Sequence, residues 1–421
     1  MPPLASPSPS QSPSNPRIRR ISRVLQRPPR LLVLGTLIGG LLATGLAAPA
    51  VAAKRRVPFG FLGSVVPPEM FSVPESVLDR QFALMARSGV ESVRLTFDWG
   101  SLEPTPGSYS LTEVDKLVRS ASRSRLQIIL NVSGTPCWAS SAPLDPECRR
   151  FPPSDANRVR FAALMTLLVR RYGSNGEFWR ENRAVPRNPI TLWQIWNEQT
   201  APWHWQESPW APGYARLLRA TYPQIKSVDR RARVIAGSLV AYGRSYNPWD
   251  AVRDLYRAGA RQYFDAISVH PFTNDPRSVA KTAWQTTEIL RRVRQRMDQA
   301  GDRKKPLLVT EITWPAGKGK VPRQARFYME VTPRQQAERM RAAFLRLAAW
   351  RKRLRLTHVQ WYTWATAYDP VGPATVMLFR YSGLTQMRGT SFKPMPILGT
   401  YRSLAAQLEG CRKGDDARRC R

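Results

Sequence analysis

Acidic residues, cysteine and histidine are the scarce materials of this 421-residue chain. It holds 30 Asp+Glu against 65 Lys+Arg, with four Cys and three His. So few thiols and imidazoles, with no metal-ligand spacing among them, argue against a zinc module or a His-cluster metal enzyme. No metal and no cofactor is expected. A glycine-rich phosphate-cradling turn is also missing. The first apolar strand leads into Gly63-Ser64-Val65-Val66-Pro67-Pro68, which argues against an open dinucleotide-binding sheet. No repeat and no long linker follows Pro58. Apolar side chains are plentiful, at 43% of residues. That suffices for a large core and rules out a wholly disordered chain. The formal charge is +35, nearly all of the excess being Arg. Such a field favours anionic partners, or else reflects an arginine-rich composition. The cations are scattered rather than gathered in one arm, so a nucleic-acid partner is not expected.

The first 53 residues read as an address. Residues 1–30 form a disordered basic segment, Pro- and Ser-rich up to residue 16, then carrying Arg17, Arg19, Arg20, Arg23, Arg27 and Arg30. Residues 31–53 are apolar and end in Ala50-Val51-Ala52-Ala53, just before Lys54-Arg55-Arg56. A basic region, an apolar region and a small-residue site make a signal peptide. The apolar run is also long enough to serve as a membrane anchor. Either way the expectation is an exported protein, secreted or in the cell envelope, that touches a membrane only through this segment. Removing residues 1–53 takes away six Arg and no acid, so the mature charge is +29. The cysteines agree with export. Cys137 and Cys148 share a loop-like stretch, and Cys411 and Cys420 bracket a basic tail over 410–421. Two short-range disulfides are the simplest pairing in an oxidising compartment.

Residues 54–409 alternate β-branched apolar runs with amphipathic stretches. The expected strands are Phe59–Val65, Ser92–Phe97, Gln127–Val132, Ile190–Trp196, Arg233–Ser238, Phe264–His270, Pro306–Ile312 and His358–Trp364. Helical spacing joins Leu78, Phe82, Met85 and Ala86. It also joins Leu111, Val114 and Val118; Phe161, Leu164, Leu167 and Leu168; Ile289, Val293 and Met297; and Met340, Phe344, Leu347 and Ala348. Eight strands, most followed by a helix, have the period of an α/β fold of the (β/α)8 TIM-barrel class.

In such barrels the working residues sit at the carboxyl ends of strands. The fourth expected strand ends in Asn197-Glu198 and the seventh in Glu311. Each acid taken singly would also suit a helix cap or an ion pair. Together they lie across one barrel mouth, where two carboxyls can flank a bond. Glycoside cleavage needs that pair, one to protonate the leaving oxygen and one to attack the anomeric carbon. Arg94, inside the second strand, is placed to hold a carboxylate ionised. Asp98 to Tyr109, with two Pro and a Gly, reads as an ordered loop rather than a helix.

These segments resemble clan A glycoside hydrolases. "DWGSLEPTPGSYSLTEVDKLV" is similar to the clan's second-strand pattern W-x-x-(aliphatic)-E-P-x-P-G-x-(aromatic). "IWNEQT" resembles the Asn-Glu end of its fourth strand and "LLVTEITWP" the nucleophile end of its seventh. "NVSGTPCWAS" is similar to the third-strand stretch of family 39 and its relatives. The resemblance, family 39-like or family 5-like, runs from about Phe59 to about Leu408. It implies a retaining mechanism with Glu198 as acid/base and Glu311 as nucleophile, about 5–5.5 Å apart. Asn197 would hold the sugar 2-hydroxyl and Arg94 would orient Glu311. The apolar neighbourhood of Trp196 would raise the Glu198 pKa, as an acid needs. One departure stands out. Where many clan members place a Tyr after the sixth strand, this chain has Phe272, leaving His270 to take part of that role. Tyr362 and Trp364, alternating on the eighth strand, resemble the clan's aromatic floor.

Trp138, Trp203, His204, Trp205, Trp210 and Trp314 follow strand ends, and flat aromatics suit sugar C–H faces. The expected partner is therefore a carbohydrate substrate, and an Arg-rich cleft would favour an acidic glycan. The rival readings are a non-catalytic glycan-binding envelope protein, a transglycosylase on the same barrel, and a charge-driven binder of anionic polymers. Oligomeric state is not legible.

Overall fold

In the computed structural model, residues 54–241, 245–321, 329–367 and 379–410 are described. Eight parallel strands close into a barrel in sequential order: β1 Leu62–Val66, β2 Ser92–Asp98, β3 Gln127–Ser133, β4 Leu192–Ile195, β5 Arg233–Leu239, β6 Ala266–Val269, β7 Leu307–Ile312 and β8 Leu356–Trp361. Closure is made by β1 pairing with β8, Gly63 opposite Gln360. All eight expected strands are present, shorter or longer by a few residues. The (β/α)8 reading therefore stands.

The helices that cover the barrel are α1 Glu75–Arg87, a single turn α2 Trp99–Leu102, α3 Thr112–Arg123, α4 Arg158–Tyr172, a short α5 Glu177–Glu181, α6 Trp210–Val228, α7 Pro248–Arg257, α8 Val279–Gln299, α9 Pro333–Leu354 and α10 Pro396–Glu409. Five of them carry the spacings read from sequence. The others were not singled out there. The stretch from Asp98 to Tyr109 is not all loop, because its first residues form α2. Asp98 Oδ1 caps that turn by accepting from the Ser101 amide at 3.2 Å. A three-stranded sheet, β9 Ala365–Ala367, β10 Thr385–Arg388 and β11 Ser391–Pro394, follows the barrel.

Two apolar layers hold the fold. Ile129, Leu192, Ile235, Ala266 and Leu308 from five consecutive strands meet in the barrel interior. Outward-facing strand residues such as Leu95, Val132, Ile195 and Val359 pack against the helices. Above the inner plug, the inward positions turn polar: Arg94, Asn131, Gln194, Ser238 and Thr310 are all buried. That change fixes which end of the barrel does chemistry, since buried polar groups must be spent on one another or on a ligand. The two ends of the described barrel meet, with the Arg56 amide donating to the Leu408 carbonyl at 2.8 Å.

Cys137 and Cys148 form a disulfide as expected. The expected signal or anchor over 31–53, the segment before it, and the Cys411–Cys420 pairing lie outside the described residues. No helix among the described residues is long and apolar enough to cross a membrane.

Candidate active site

The chain bends sharply after β4. Trp196 (φ 72°) and Glu198 (φ 46°) both take left-handed backbone conformations, which cost non-glycine residues and tend to persist at functional sites. The bend turns Asn197 and Glu198 into the mouth. Trp196 secures the following loop. Its indole is fully buried, donates to the His204 carbonyl at 2.9 Å and stacks edge-on with Trp205 at 5.0 Å.

Glu198 and Glu311 are brought together as the strand order requires. An oxygen of each carboxylate and a ring nitrogen of His270 all lie within 4.8 Å of one another. Each carboxylate side chain is 12% exposed, so both are nearly desolvated yet reachable. Their surroundings differ. Glu311 Oε1 accepts from Arg94 Nη1 at 2.6 Å. The same guanidinium donates through Nη2 to Asn197 Oδ1 at 2.8 Å and through Nε to Gln194 Oε1 at 3.1 Å. Arg94 is thus a three-way clamp buried to 1% exposure. It fixes Glu311 and spends the Asn197 carbonyl oxygen, which leaves the Asn197 amide nitrogen to donate to a ligand.

Glu198 lies between two imidazoles. His270 Nδ1 is 2.7 Å from its Oε1, and His204 Nε2 is 3.4 Å from its Oε2. Burial pushes the Glu198 carboxyl up, but the flanking His204 and His270 push it down by more, to well below the usual carboxylate range. The expected rise beside Trp196 is therefore corrected. Trp196 faces the loop, and the groups that reach the carboxyl are basic. His270 Nε2 meets Thr310 Oγ1 at 2.9 Å. A neutral ring donating from Nδ1 to the carboxylate can accept there from the Thr310 hydroxyl. Thr310 in turn meets Ser238 Oγ at 3.4 Å, and Ser238 donates to Asn197 Oδ1 at 3.3 Å. A continuous polar chain thus links the two carboxylates through the top of the barrel. Gly237 (φ 84°) makes the bulge in β5 that brings Ser238 into it.

By distance alone, Glu198, His270 and Glu311 could hold a cation. The Arg94 guanidinium already holds Oε1 of Glu311 and disfavours a second positive charge beside it.

Of the expected aromatic contacts, Tyr362 lies at the site. Burial raises its phenol, with the nearby Glu311 charge the next cause, and its ring packs edge-on against Phe379 at 5.2 Å. Trp364 does not. It is fully buried, with its indole donating to Gln81 of α1 at 3.1 Å. Strand β8 ends at Trp361, so alternation does not carry as far as residue 364. Trp138 is half-buried over the mouth loops, its indole bonded to the Pro104 carbonyl and its ring edge-on to Trp99 at 5.5 Å. Trp205 and Trp314 are packing residues, both buried, while Trp203 is 49% exposed. The Glu103 of the second-strand motif is structural. Its buried carboxylate accepts from the Trp99 indole at 2.7 Å and the Gly107 amide at 2.9 Å, tying the loop. His204 was read from sequence only as one of the aromatics after the fourth strand, and Gln194, Ser238 and Thr310 were not chosen there. The one available signal for the last three was a polar side chain on an otherwise apolar strand. Near the two carboxylates the Arg side chain is Arg94, and it is spent on Glu311, Asn197 and Gln194. A cavity of about 920 Å³ is lined by Trp205, Trp210, Tyr246 and Asp254 and includes neither carboxylate.

Comparison with known proteins agrees with this geometry. Residues 68–253 match the glycoside hydrolase 42 family model, described as beta-galactosidase. That is under half of the chain, taking in Arg94, Asn197 and Glu198 but not His270 or Glu311. No curated protein matches the sequence. Among solved structures, a family 39 glycoside hydrolase from Bacteroides cellulosilyticus WH2 superposes with TM-score 0.58 at 19% identity, over 84% of this chain and 64% of that one. The chain thus spans under two thirds of that relative's length. A GH5_18 variant from Bifidobacterium longum subsp. longum, in complex with Manb1-4GlcNAc, gives 0.57 at 16% identity over 82% and 78%. A family 5 mannosidase variant from Rhizomucor miehei, in complex with mannosyl-fructose, gives 0.57 at 15% identity over 85% and 96%. At such identities the likeness is one of fold. The described chain is thus a (β/α)8 barrel in fold, and its residues 68–253 are similar to the glycoside hydrolase 42 family pattern.

Proposed function

We propose that the chain is an exported retaining glycoside hydrolase that cleaves β-linked bonds of an oligo- or polysaccharide by double displacement. The observation that carries this reading is the close approach of Glu198 and Glu311, within 4.8 Å at their nearest oxygens. That is the spacing for direct attack, whereas an intervening water needs roughly 6.5–9.5 Å. In the first step a Glu311 oxygen bonds to the anomeric carbon while the glycosidic C–O bond breaks. The leaving oxygen takes the proton carried by Glu198. In the second step Glu198 takes a proton from water, whose oxygen bonds to the anomeric carbon as the Glu311 ester bond breaks. Arg94 aims Glu311, the Asn197 amide faces the 2-hydroxyl, and Tyr362 lies under the ring. With both imidazoles in place the free Glu198 is ionised, the form that the second step uses; the first step needs the carboxylic acid, so Glu198 must take up a proton as the sugar binds. Export rests on the signal-like residues 31–53 and agrees with the Cys137–Cys148 disulfide, which persists best outside a reducing cytosol.

The test is labelling with 2-deoxy-2-fluoro β-glycosides bearing good leaving groups, followed by peptide mass mapping. An adduct on Glu311 is expected, and none in Glu311→Gln. An adduct on another carboxylate, or none across galactosides, glucosides and mannosides, would overturn the retaining assignment. Product analysis with acceptor sugars separates hydrolysis from transglycosylation.

A further inference from the structure

Positive charge gathers at the amino-terminal end of the barrel. A cavity of about 560 Å³ at the amino-terminal rim is lined by Lys226, Arg230, Arg231, Arg233, Lys304 and Lys305, with Asp265 and Pro306. Arg233 opens β5, while Asp265 and Pro306 immediately precede β6 and β7. Acid neutralises only part of this cluster. Asp265 already accepts from the Val234 amide at 2.9 Å and Tyr222 Oη at 3.0 Å, with Lys226 at 3.3 Å. Neighbouring Asp229 accepts from the Ser174 and Arg231 amides. Lys305 pairs with Asp302 at 2.8 Å. Arg230, Arg231, Arg233 and Lys304 are exposed, and no side-chain hydrogen bond or ion pair holds them among the described residues. The field reaches inward. His358, near the base of β8, has its pKa lowered by burial and then by the Arg233 charge.

We propose that this rim is a binding site for an acidic polysaccharide, a sugar chain bearing carboxylate or phosphate groups. Four free cations around one concavity fit repeated anions, and guanidinium groups bind such oxyanions bidentately. The lining has no aromatic side chain on which nucleic-acid bases could stack. Its charges surround a hollow rather than forming a flat basic plane against headgroups. Strand β5 alone separates the two rims by roughly 20 Å. Polymer held here is therefore a different stretch from the one at Glu198 and Glu311, and the site would tether the enzyme. That the polyanion is a polysaccharide rests on the glycosidase reading, whereas the cationic cavity does not.

The test uses the full chain and polygalacturonate as probe, with neutral galactan, phosphatidylglycerol vesicles and poly(dT) as comparators. The variant is Arg230→Glu/Arg231→Glu/Lys304→Glu, with the milder Gln series at the same positions in case the reversals disturb folding, checked by melting temperature. The expected result is polygalacturonate binding that is equal in wild type and Glu311→Gln. It should weaken tenfold or more in the triple variant and at 0.5 M NaCl, while small aryl glycosides turn over unchanged. Less than a threefold change in both series, absence of polygalacturonate binding, or an effect confined to vesicles or poly(dT) would overturn the proposal. Labelling at Glu311 reads the opposite rim, so failure there and failure here are separate results.

Discussion

Glu198 shows most clearly how two carboxylates on one barrel acquire different jobs. Three histidines exist in the whole sequence, and two of them contact this one side chain. His204 is the half-exposed member of the pair and belongs to a loop rather than a strand. It is a positioning residue whose removal should leave the barrel intact. Its loss takes away a group that depresses the Glu198 pKa, so that pKa should rise. In a retaining glycosidase the alkaline limb of kcat/KM reports loss of the acid's proton. We expect His204→Ala to move that limb upward by about one pH unit, read from a pH–rate profile on an aryl glycoside. An unmoved limb with lower kcat would mean that His204 only packs the loop. Glu198, Glu311, Arg94 and Asn197 were legible because charged and amide groups within or at the ends of apolar strands stand out in one dimension. The contact of His204 with Glu198 was not, because nothing in the sequence says how the loop folds back; His204 was read there only as one of the aromatics that suit a sugar. Trp364 was misplaced for the converse reason: a period-two rule was extended past the last paired residue of β8.

At the scale of elements, strands were easier to read than their connections. Buried parallel strands write themselves as continuous apolar runs, and all eight were found. Helices α6, α7 and α10 were not singled out, although α7 carries a full capping box between Asn247 and Asp250. The loop after β3 is held by a different device. The Cys137–Cys148 bridge spans a sequence separation of 11 in a segment with little regular structure. Closing a loop of that length in the unfolded chain is worth roughly 3 kcal/mol. Cys137→Ser/Cys148→Ser should lose about that much in urea unfolding, and a reductant should have the same effect on wild type. Trp138 follows Cys137 directly and rides on this loop, so the reduced protein should also show altered tryptophan fluorescence.

Across the whole molecule, acid sensitivity should be set from within the barrel. His358 is buried, with Nε2 3.0 Å from Gln127 Oε1, and its pKa is lowered to about 4, by burial first and by Arg233 next. The unfolded chain takes up this proton near pH 6.5, the folded chain not until about pH 4. Between those values the unfolded state binds more protons, so stability falls as pH falls, by about 3 kcal/mol at pH 4. Urea titrations at stepped pH should show that slope, and His358→Gln should flatten it. Intact slope in the variant would assign acid lability to the carboxylates instead. The contact between Arg56 and Leu408 has a consequence for the chain's connectivity. Since the barrel closes on itself and its ends touch, its order of strands is cyclic, and the peptide bond at which it is cut is close to arbitrary. Joining residue 410 to residue 54 through a short glycine-serine bridge, and opening the chain between the exposed Arg183 and Ala184, should give a circular permutant that refolds and still labels at Glu311.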